Sequence, residues 1–166
     1  MLRPATDADK ENVRVWRNHP QVRAVSLTQN IITPEEHANY WKSLDGSAIR
    51  RLFIFEYADV PAGVVTFFDI DDTARTAMWG YYLDNDGLQE RGQLLLAWIK
   101  VQREAVKLAF GELQLDELYG EVLDANEAVR SMNTRNGFEE IDAQERLVGG
   151  EPVTVHTIRR RRQPND

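Results

Sequence analysis

The segment from Leu83 to Gln93 contains residues suited to holding an anion. Gly87 and Gly92 let the backbone approach a ligand closely, and Arg91 adds a cation that favours a pyrophosphate. The segment also leads into a helix, whose first turn offers about four unpaired N–H groups and a partial positive charge. The glycine spacing fits neither a Walker loop nor a dinucleotide-binding fingerprint. The pattern therefore predicts either an anion site or an ordinary loop that enters a helix.

The composition excludes several other kinds of chemistry. The chain has 166 residues with no cysteine, three histidines and a net charge of −7. Without cysteine there is no disulfide, thiolate metal site or thiol nucleophile, and with three histidines a zinc cluster is not expected. An acidic chain lacks the positive field that binds nucleic acid or anionic membranes.

The length predicts a single domain over residues 1–166. Because the sequence shows no signal peptide and no apolar run long enough to cross a bilayer, we expect a cytoplasmic protein without a membrane partner.

The apolar spacing and the capping residues predict four helices and six strands. The three strands that follow the second helix have short connections, which favour an antiparallel meander. The fold class is therefore expected to be α+β. The predicted helices cover about 6–17, 33–44, 90–113 and, from a cap at Asp124 or Asn126, up to 136; the predicted strands cover 51–57, 63–70, 76–83, 118–123, 138–147 and 153–159.

Three motifs in this order of elements resemble the GNAT superfamily of acyl-CoA-dependent N-acyltransferases, over nearly the whole chain. The segment 87–96 is similar to the family's pyrophosphate loop, and the segment 126–138 to its asparagine-led helix that ends in Gly-Phe. The third motif combines 16–20 with 35–37. It resembles the N-acetyltransferase of pseudaminic acid biosynthesis, which acetylates a UDP-linked 4-amino-sugar, and more loosely the ribosomal-protein N-terminal acetyltransferases.

The resemblance implies a GNAT-like fold with a mixed, mostly antiparallel central sheet flanked by helices. In such a fold, the strand 77–83 parts from the parallel strand 118–123 and leaves a slot for pantetheine. Acetyl-CoA is then the expected cosubstrate, and no metal is expected. The residues expected to bind the coenzyme are Tyr82, Leu83, Gln89, Glu90, Arg91, Gly92, Gln93 and Asn126.

The pyrophosphate loop matches the family pattern only in part. If Gly92 is the last glycine of the motif, Glu90 replaces the earlier one; if Gln89 starts the motif, Leu94 replaces the final small residue. We prefer the first register because it puts Leu95–Leu96 where the helix needs an apolar pair. In that register the Glu90 carboxylate must point to solvent or cap the helix, since it would otherwise repel phosphate.

The resemblance also implies direct attack of a neutral amine on the thioester, through a tetrahedral intermediate. A backbone N–H near Tyr81 would polarise the carbonyl. Asn133 stands where many members of the family carry the tyrosine that protonates the leaving thiolate; an asparagine cannot donate a full proton but can hydrogen-bond the sulfur. Thr66 is implied as an orienting hydroxyl, and His37, with an unperturbed pKa of about 6.5, suits a general base. The expected catalytic residues are Thr66, His37, Tyr81 and Asn133.

The acceptor amine is expected to contact Arg17, Asn18, His37 and Trp79. Comparison with the sugar enzyme puts Arg17 and His37 on the phosphates or the uracil of a nucleotide. Simpler roles stay open, because Arg17 also suits a helix end and Thr66, Trp79 and Tyr81 also suit strand packing.

The expected function is acetyl transfer from acetyl-CoA to a small primary amine, with a nucleotide-linked amino sugar as the best guess. Two alternatives stay open: a ribosomal-protein-type N-terminal acetyltransferase, and a non-catalytic acyl-CoA-binding module. A homodimer is allowed by the C-terminal hairpin and the edges of the sheet but is not required.

Overall fold

The computed structural model, which describes residues 1–166, has seven strands and six α-helices. The first α-helix follows a single 3-10 turn at Asp7–Asp9. The strands are β1 (Leu2–Pro4), β2 (Arg50–Tyr57), β3 (Val60–Asp71), β4 (Thr76–Leu83), β5 (Glu117–Leu123), β6 (Glu139–Val148) and β7 (Glu151–Arg161). The helices are α1 (Lys10–Asn18), α2 (Pro20–Ala24), α3 (Pro34–Leu44), α4 (Asn85–Glu90), α5 (Leu94–Phe110) and α6 (Glu127–Arg135).

The strands form one sheet in the order β1-β2-β3-β4-β5-β7-β6. All neighbours are antiparallel except β4 and β5, which run parallel. The parallel pairing covers only three residue pairs, from Thr76–Glu117 to Met78–Tyr119, and the two strands then part. The expected α+β fold, with a mixed and mostly antiparallel sheet and a splayed strand pair, is confirmed.

Apolar side chains cover both faces of the sheet, because successive residues of a strand point to opposite sides. On one face, α5 packs the stripe Val101, Ala105 and Ala109 against the larger part of the core. The strand residues of that face include Phe53, Phe55, Val65, Phe67, Trp79 and Leu83. On the other face, Val13 and Trp16 of α1 pack on Leu52, Ile54 and Val64, with α3 alongside. None of the helices has the length and hydropathy needed to cross a membrane.

The start of α3 is fixed locally, as the sequence predicts. Thr33 Oγ1 accepts a hydrogen bond from the Glu36 N–H (3.2 Å), and Glu36 Oε2 accepts one from the Thr33 N–H (2.9 Å). Pro34 occupies the first helical position, where its missing N–H costs nothing. The end of the first helix, predicted at about residue 17, is confirmed at Asn18, but Pro20 opens the short helix α2, which was not predicted.

The helix predicted over about 90–113 is confirmed over Leu94–Phe110, but a separate short helix, α4, precedes it and was not predicted. Gly92 adopts a left-handed φ of 65°. Its N–H donates to the Gln89 carbonyl (3.0 Å) and the Gln93 N–H donates to the Leu88 carbonyl (2.8 Å). This pair of bonds is the Schellman motif that closes a helix. It ends α4 at Glu90 and lets α5 begin afresh at Leu94.

Strand β1, which was also not predicted, is held by a partly buried ion-pair network. Arg3 donates two hydrogen bonds to the Asp9 carboxylate (2.8 and 2.9 Å) and one to Glu56 Oε1 (2.7 Å). Asp9 is 5% exposed, and the Arg3 guanidinium, helped by the Thr6 N–H and hydroxyl, lowers the pKa of its carboxyl to about 2. The network ties β1 to the start of α1 and to β2.

We expect Asp9→Asn to lower the free energy of unfolding by about 2 kcal/mol at pH 7, because the depressed pKa of Asp9 stabilises the folded state wherever the carboxylate is ionised. This stability is present above the ordinary aspartate pKa of about 4 and is lost as the pH falls towards about 2. Urea unfolding at several pH values measures the difference from the wild type, with Asp72→Asn, at an exposed turn, as the control. A difference that does not shrink on acidification would contradict the assignment.

Candidate functional site

A cavity of about 1190 Å³ lies where β4 and β5 part. Its walls include Trp79 to Leu83 on β4 and Gly120 to Val122 on β5, and it continues between α1–α3 on one side and α5–α6 on the other. Typical small-ligand pockets measure roughly 300–1,000 Å³. The cavity therefore has room for part of a carrier molecule together with a second reactant.

Two backbone N–H groups of β4 face this gap without a strand partner. The Asp84 N–H donates to the Ala62 carbonyl on β3 (2.8 Å), and the register of β3 and β4 is unbroken from Met78 to Leu83. Because N–H directions alternate along a strand, the odd-numbered residues of this stretch turn theirs towards β5. Pairing with β5 ends at Met78, so the N–H groups of Tyr81 and Leu83 point into the cavity. Tyr82 was also expected to bind the coenzyme, but its N–H faces β3.

The backbone N–H groups that are free to bind an anion lie just beyond the segment 83–93, where the sequence predicted them. The N–H groups of Arg91, Gly92 and Gln93 are already bonded to carbonyls of α4. The first residues of α5, Leu94 to Leu96, have no acceptor for theirs, and Gln93 offers no capping side chain. Because a long helix concentrates partial positive charge at such an end, the residues present fit a diphosphate there.

The side chains of the predicted loop lie around this helix start. The Arg91 Nε donates to Gln93 Oε1 (3.1 Å), which holds both side chains near the first turn of α5. Glu90 is exposed, as the preferred register requires. Leu95 and Leu96 are 65% and 59% exposed, so the expectation that the helix needs them as an apolar pair is wrong.

Two further residues expected to bind the coenzyme line the same cavity. Gln89 sits at the end of α4. Asn126 precedes α6, and its side chain caps that helix by accepting a hydrogen bond from the Val129 N–H (3.4 Å). Their roles towards the coenzyme stay predictions.

Arg17 lies on the opposite side of the sheet, near the partly buried Tyr82 side chain. Its Nη2 donates to the Thr28 carbonyl (2.6 Å), whereas its Nη1 is buried and has no hydrogen-bond partner. Burial lowers the pKa of Arg17 and raises that of Tyr82. An unpaired buried guanidinium nitrogen is costly, and Arg17 lines the cavity, so an anionic group that contacts its guanidinium would stabilise it.

Tyr40 and Arg50 complete this side of the cavity, and the sequence analysis missed both. The Arg50 guanidinium lies 5.6 Å from the centre of the Tyr40 ring and 5.7 Å from that of Phe68. Burial raises the pKa of Tyr40, while Arg50 and the hydroxyl of Thr66 act in the opposite direction. Thr66, expected to orient the amine, therefore does face the cavity. The position of Tyr40 one helical turn after His37 was the available signal.

Three of the residues that were expected to contact the acceptor amine make hydrogen bonds or ring contacts within the protein. His37 is 3% exposed and donates from Nε2 to the Lys10 carbonyl (2.7 Å), and burial lowers its pKa. The Asn18 amide makes two bonds to the backbone of Ile32 (2.7 and 2.8 Å). The Trp79 ring stacks between Tyr81 and Phe138, with centroids 5.4 and 5.7 Å away. These contacts favour packing over catalysis or substrate binding for all three.

Asn133 and Tyr81 belong to one buried polar network on the α5 and α6 side. Gln102 Nε2 donates to Asn133 Oδ1 (3.0 Å) and to the Tyr81 hydroxyl oxygen (3.2 Å). The Trp98 indole N–H also donates to that hydroxyl oxygen (2.8 Å), and Asn136 Nδ2 donates to Gln102 Oε1 (2.7 Å). The network brings together two predicted catalytic residues that are far apart in sequence.

No group of three or more histidine, aspartate and glutamate side chains in the structure is arranged to hold a metal ion.

Comparisons with known proteins agree with this geometry. The model of the acetyltransferase (GNAT) domain matches residues 1–139. No curated protein sequence matches the chain. Among solved structures, the chain is similar to the spermidine N-acetyltransferase from Vibrio cholerae in complex with CoA and spermine, with 17% identity over 96% of this chain and 93% of that one and a TM-score of 0.81. It is also similar to a protein described provisionally as a phosphinothricin N-acetyltransferase, with 19% identity over 98% of both chains and a TM-score of 0.75. At such identities the structures share the fold.

We expect Leu95→Glu to weaken binding of CoA about tenfold, because the new carboxylate would face the diphosphate at the start of α5. The same charge should slightly raise the melting temperature, since an acidic side chain stabilises a helix N-terminus. Titration calorimetry with CoA and thermal unfolding measure the two effects.

Leu147→Glu is the matched control, because Leu147 is 74% exposed on the distant β6–β7 hairpin and should leave CoA binding unchanged. Equal affinities of the two variants for CoA would exclude the α5 start as the diphosphate site.

Proposed function

Because the chain belongs to the GNAT acetyltransferase family, we propose that its acceptor is a small primary amine that also carries an anionic group, with a nucleotide-linked amino sugar as the best candidate. The enzyme is an acetyl-CoA-dependent N-acetyltransferase, and acetyl-CoA is its cosubstrate. The family assignment favours turnover over a non-catalytic acyl-CoA-binding module.

The observation that carries the proposal is the unpartnered Nη1 of Arg17. Arg50 adds a second cation to the same cavity. The two carboxylates among the lining residues are engaged elsewhere: Glu36 accepts the Thr33 N–H, and Glu121 forms an ion pair with Arg146. The acceptor side therefore offers a phosphate or carboxylate a better electrostatic environment than it offers a polycation.

The fraction of the acceptor amine that is neutral at pH 7 also favours an amino sugar over a polyamine. An amine with a pKa near 7.8, like an α-amino group, is neutral in about one molecule in seven at pH 7, whereas one with a lysine-like pKa of about 10.4 is neutral in roughly one in 2,500. His37 is bonded to a carbonyl, Glu36 accepts a hydrogen bond from a backbone N–H, and Glu121 forms an ion pair. Without a free base, an amine of low pKa is the better acceptor.

The proposed reaction is a direct transfer. The neutral amine attacks the thioester carbonyl, and the Tyr81 N–H, with Leu83 beside it, stabilises the developing oxyanion. Thr66 orients the amine, which gives up one proton as the amide forms. Arg17 and Arg50 hold the anionic part of the acceptor on the α1 and α3 side of the sheet.

The net charge of −7 favours a second candidate class, which is cationic. The N-terminus of a basic protein, as in the ribosomal-protein acetyltransferases, would be attracted to an acidic enzyme. A polyamine would be attracted as well, and spermidine is the substrate named for the similar Vibrio cholerae enzyme.

A thiol-release assay with acetyl-CoA separates these acceptors. We expect a UDP-linked amino sugar to give a higher kcat/KM than the same amino sugar without its nucleotide, spermidine or a basic peptide with a free N-terminus. A higher kcat/KM for spermidine or for the peptide would overturn the anionic acceptor.

We expect Arg17→Gln to raise the KM for the UDP-linked amino sugar about tenfold and to leave the KM for acetyl-CoA unchanged, because Arg17 lies on the acceptor side alone. Arg14→Gln, one turn earlier on α1 and outside the cavity, is the matched control. If both variants keep the wild-type KM for the sugar, Arg17 does not hold the acceptor.

A further inference from the structure

Acetyl transfer leaves CoA as a thiolate, which needs a proton source. A thiol has an ordinary pKa of about 8.5, so the sulfur takes up a proton at pH 7 once the C–S bond has broken. The position where a proton donor is expected from the resemblance holds Asn133, whose amide cannot supply a proton. Asn133 Oδ1 is moreover engaged by Gln102.

On the α5 and α6 side of the cavity, the Tyr81 hydroxyl has a proton that no neighbouring group accepts. Its oxygen accepts hydrogen bonds from the Trp98 indole N–H (2.8 Å) and from Gln102 Nε2 (3.2 Å). Both neighbours are donors at these contacts, so neither can accept the hydroxyl proton in return. No other acceptor for that O–H is present in the structure, and the proton is therefore available to a ligand in the cavity.

Tyr81 also stands where the leaving group must arrive. Its backbone N–H faces the gap between β4 and β5, while its ring points to the α5 and α6 side. There Trp98 and Asn133 line the same cavity. A thioester whose carbonyl oxygen is bound by that N–H has its sulfur about two bonds away. The hydroxyl and the N–H of one residue can therefore serve the two ends of the thioester.

We propose that the Tyr81 hydroxyl donates the proton that the CoA sulfur receives when the tetrahedral intermediate collapses. The C–S bond breaks with its electron pair moving to sulfur, and the O–H proton of Tyr81 forms the S–H bond. The amide nitrogen then gives up its surplus proton, which returns to the phenolate oxygen directly or through water. The net change is the loss of one amine proton and the gain of one thiol proton, with Tyr81 regenerated.

The surroundings of the hydroxyl suit this cycle. Burial raises the pKa of Tyr81, so the hydroxyl stays protonated until the sulfur develops charge. The N–H groups of Trp98 and Gln102 act in the opposite direction and stabilise the transient phenolate. The inference rests on acetyl transfer itself and does not depend on which amine is the acceptor.

Tyr81→Phe is the first test, assayed with the fastest acceptor of the thiol-release screen. We expect kcat to fall by roughly 10²–10⁴-fold, as for the loss of a general acid, while the Kd for CoA stays within about threefold of the wild type. Tyr119→Phe, whose hydroxyl bonds Glu117 outside the cavity, is the matched control.

A second measurement needs no turnover and separates proton donation from a structural role. The ultraviolet absorbance of the thiolate reports the pKa of the thiol in enzyme-bound CoA, with the acetyl-CoA complex as the blank. If Tyr81 donates to the sulfur, this pKa is about one unit higher in Tyr81→Phe than in the wild type, because the thiolate loses a hydrogen bond. An unchanged thiol pKa overturns the proposal even if kcat falls, and so does a kcat within threefold of the wild type.

Replacing Tyr81 by a difluorotyrosine covers the case in which Tyr81→Phe does not fold, because it keeps the hydroxyl and both of its donors. The fluorines lower the pKa of the hydroxyl, so we expect kcat to decline at a lower pH than in the wild type. A pH profile that matches the wild type would overturn the proposal.

Discussion

The incomplete pairing of β4 and β5 is the constraint on which the rest of the site depends. Two parallel strands that pair for three residues and then part leave backbone N–H groups without acceptors, which a buried sheet normally avoids. Here those groups belong to Tyr81 and Leu83, and they face a cavity. A ligand that supplies oxygen atoms at this point completes the hydrogen bonding of the sheet. The binding of a thioester and the polarisation of its carbonyl then have a single structural cause.

The sheet also divides the reaction between its two faces. Residues of β4 alternate in direction, so Tyr81 points towards α5 and α6, while Tyr82 points towards α1 and α3. The first side carries the uncapped start of α5 and the network of Trp98, Gln102 and Asn133, which suits the coenzyme and its leaving sulfur. The second side carries Arg17 and Arg50, which suit the charged part of an acceptor. In the proposed reaction, the two reactants meet at the gap between the strands.

The sequence predicted the features that depend on near neighbours. The capping box at Thr33, the strand Thr76–Leu83 and the cap at Asn126 each follow from residues within a few positions, and the structure confirms them. Features that depend on distant partners could not be read in this way. Strand β1 exists because three residues pair with β2 some fifty positions later, and the roles of Arg50 and Gln102 arise only when distant elements pack. Gly92 was identified as a key residue, but its left-handed conformation ends a helix, and this moves the open amides to Leu94–Leu96.

A crystal structure of the enzyme with acetyl-CoA, or with a non-reactive analogue of it, tests the central claim most directly. We predict that the thioester lies between β4 and β5 with its carbonyl oxygen about 2.7–3.1 Å from the Tyr81 nitrogen. We also predict that the diphosphate binds the backbone N–H groups of the first turn of α5. A coenzyme bound elsewhere, or a carbonyl oxygen that contacts no N–H of β4, would contradict the account.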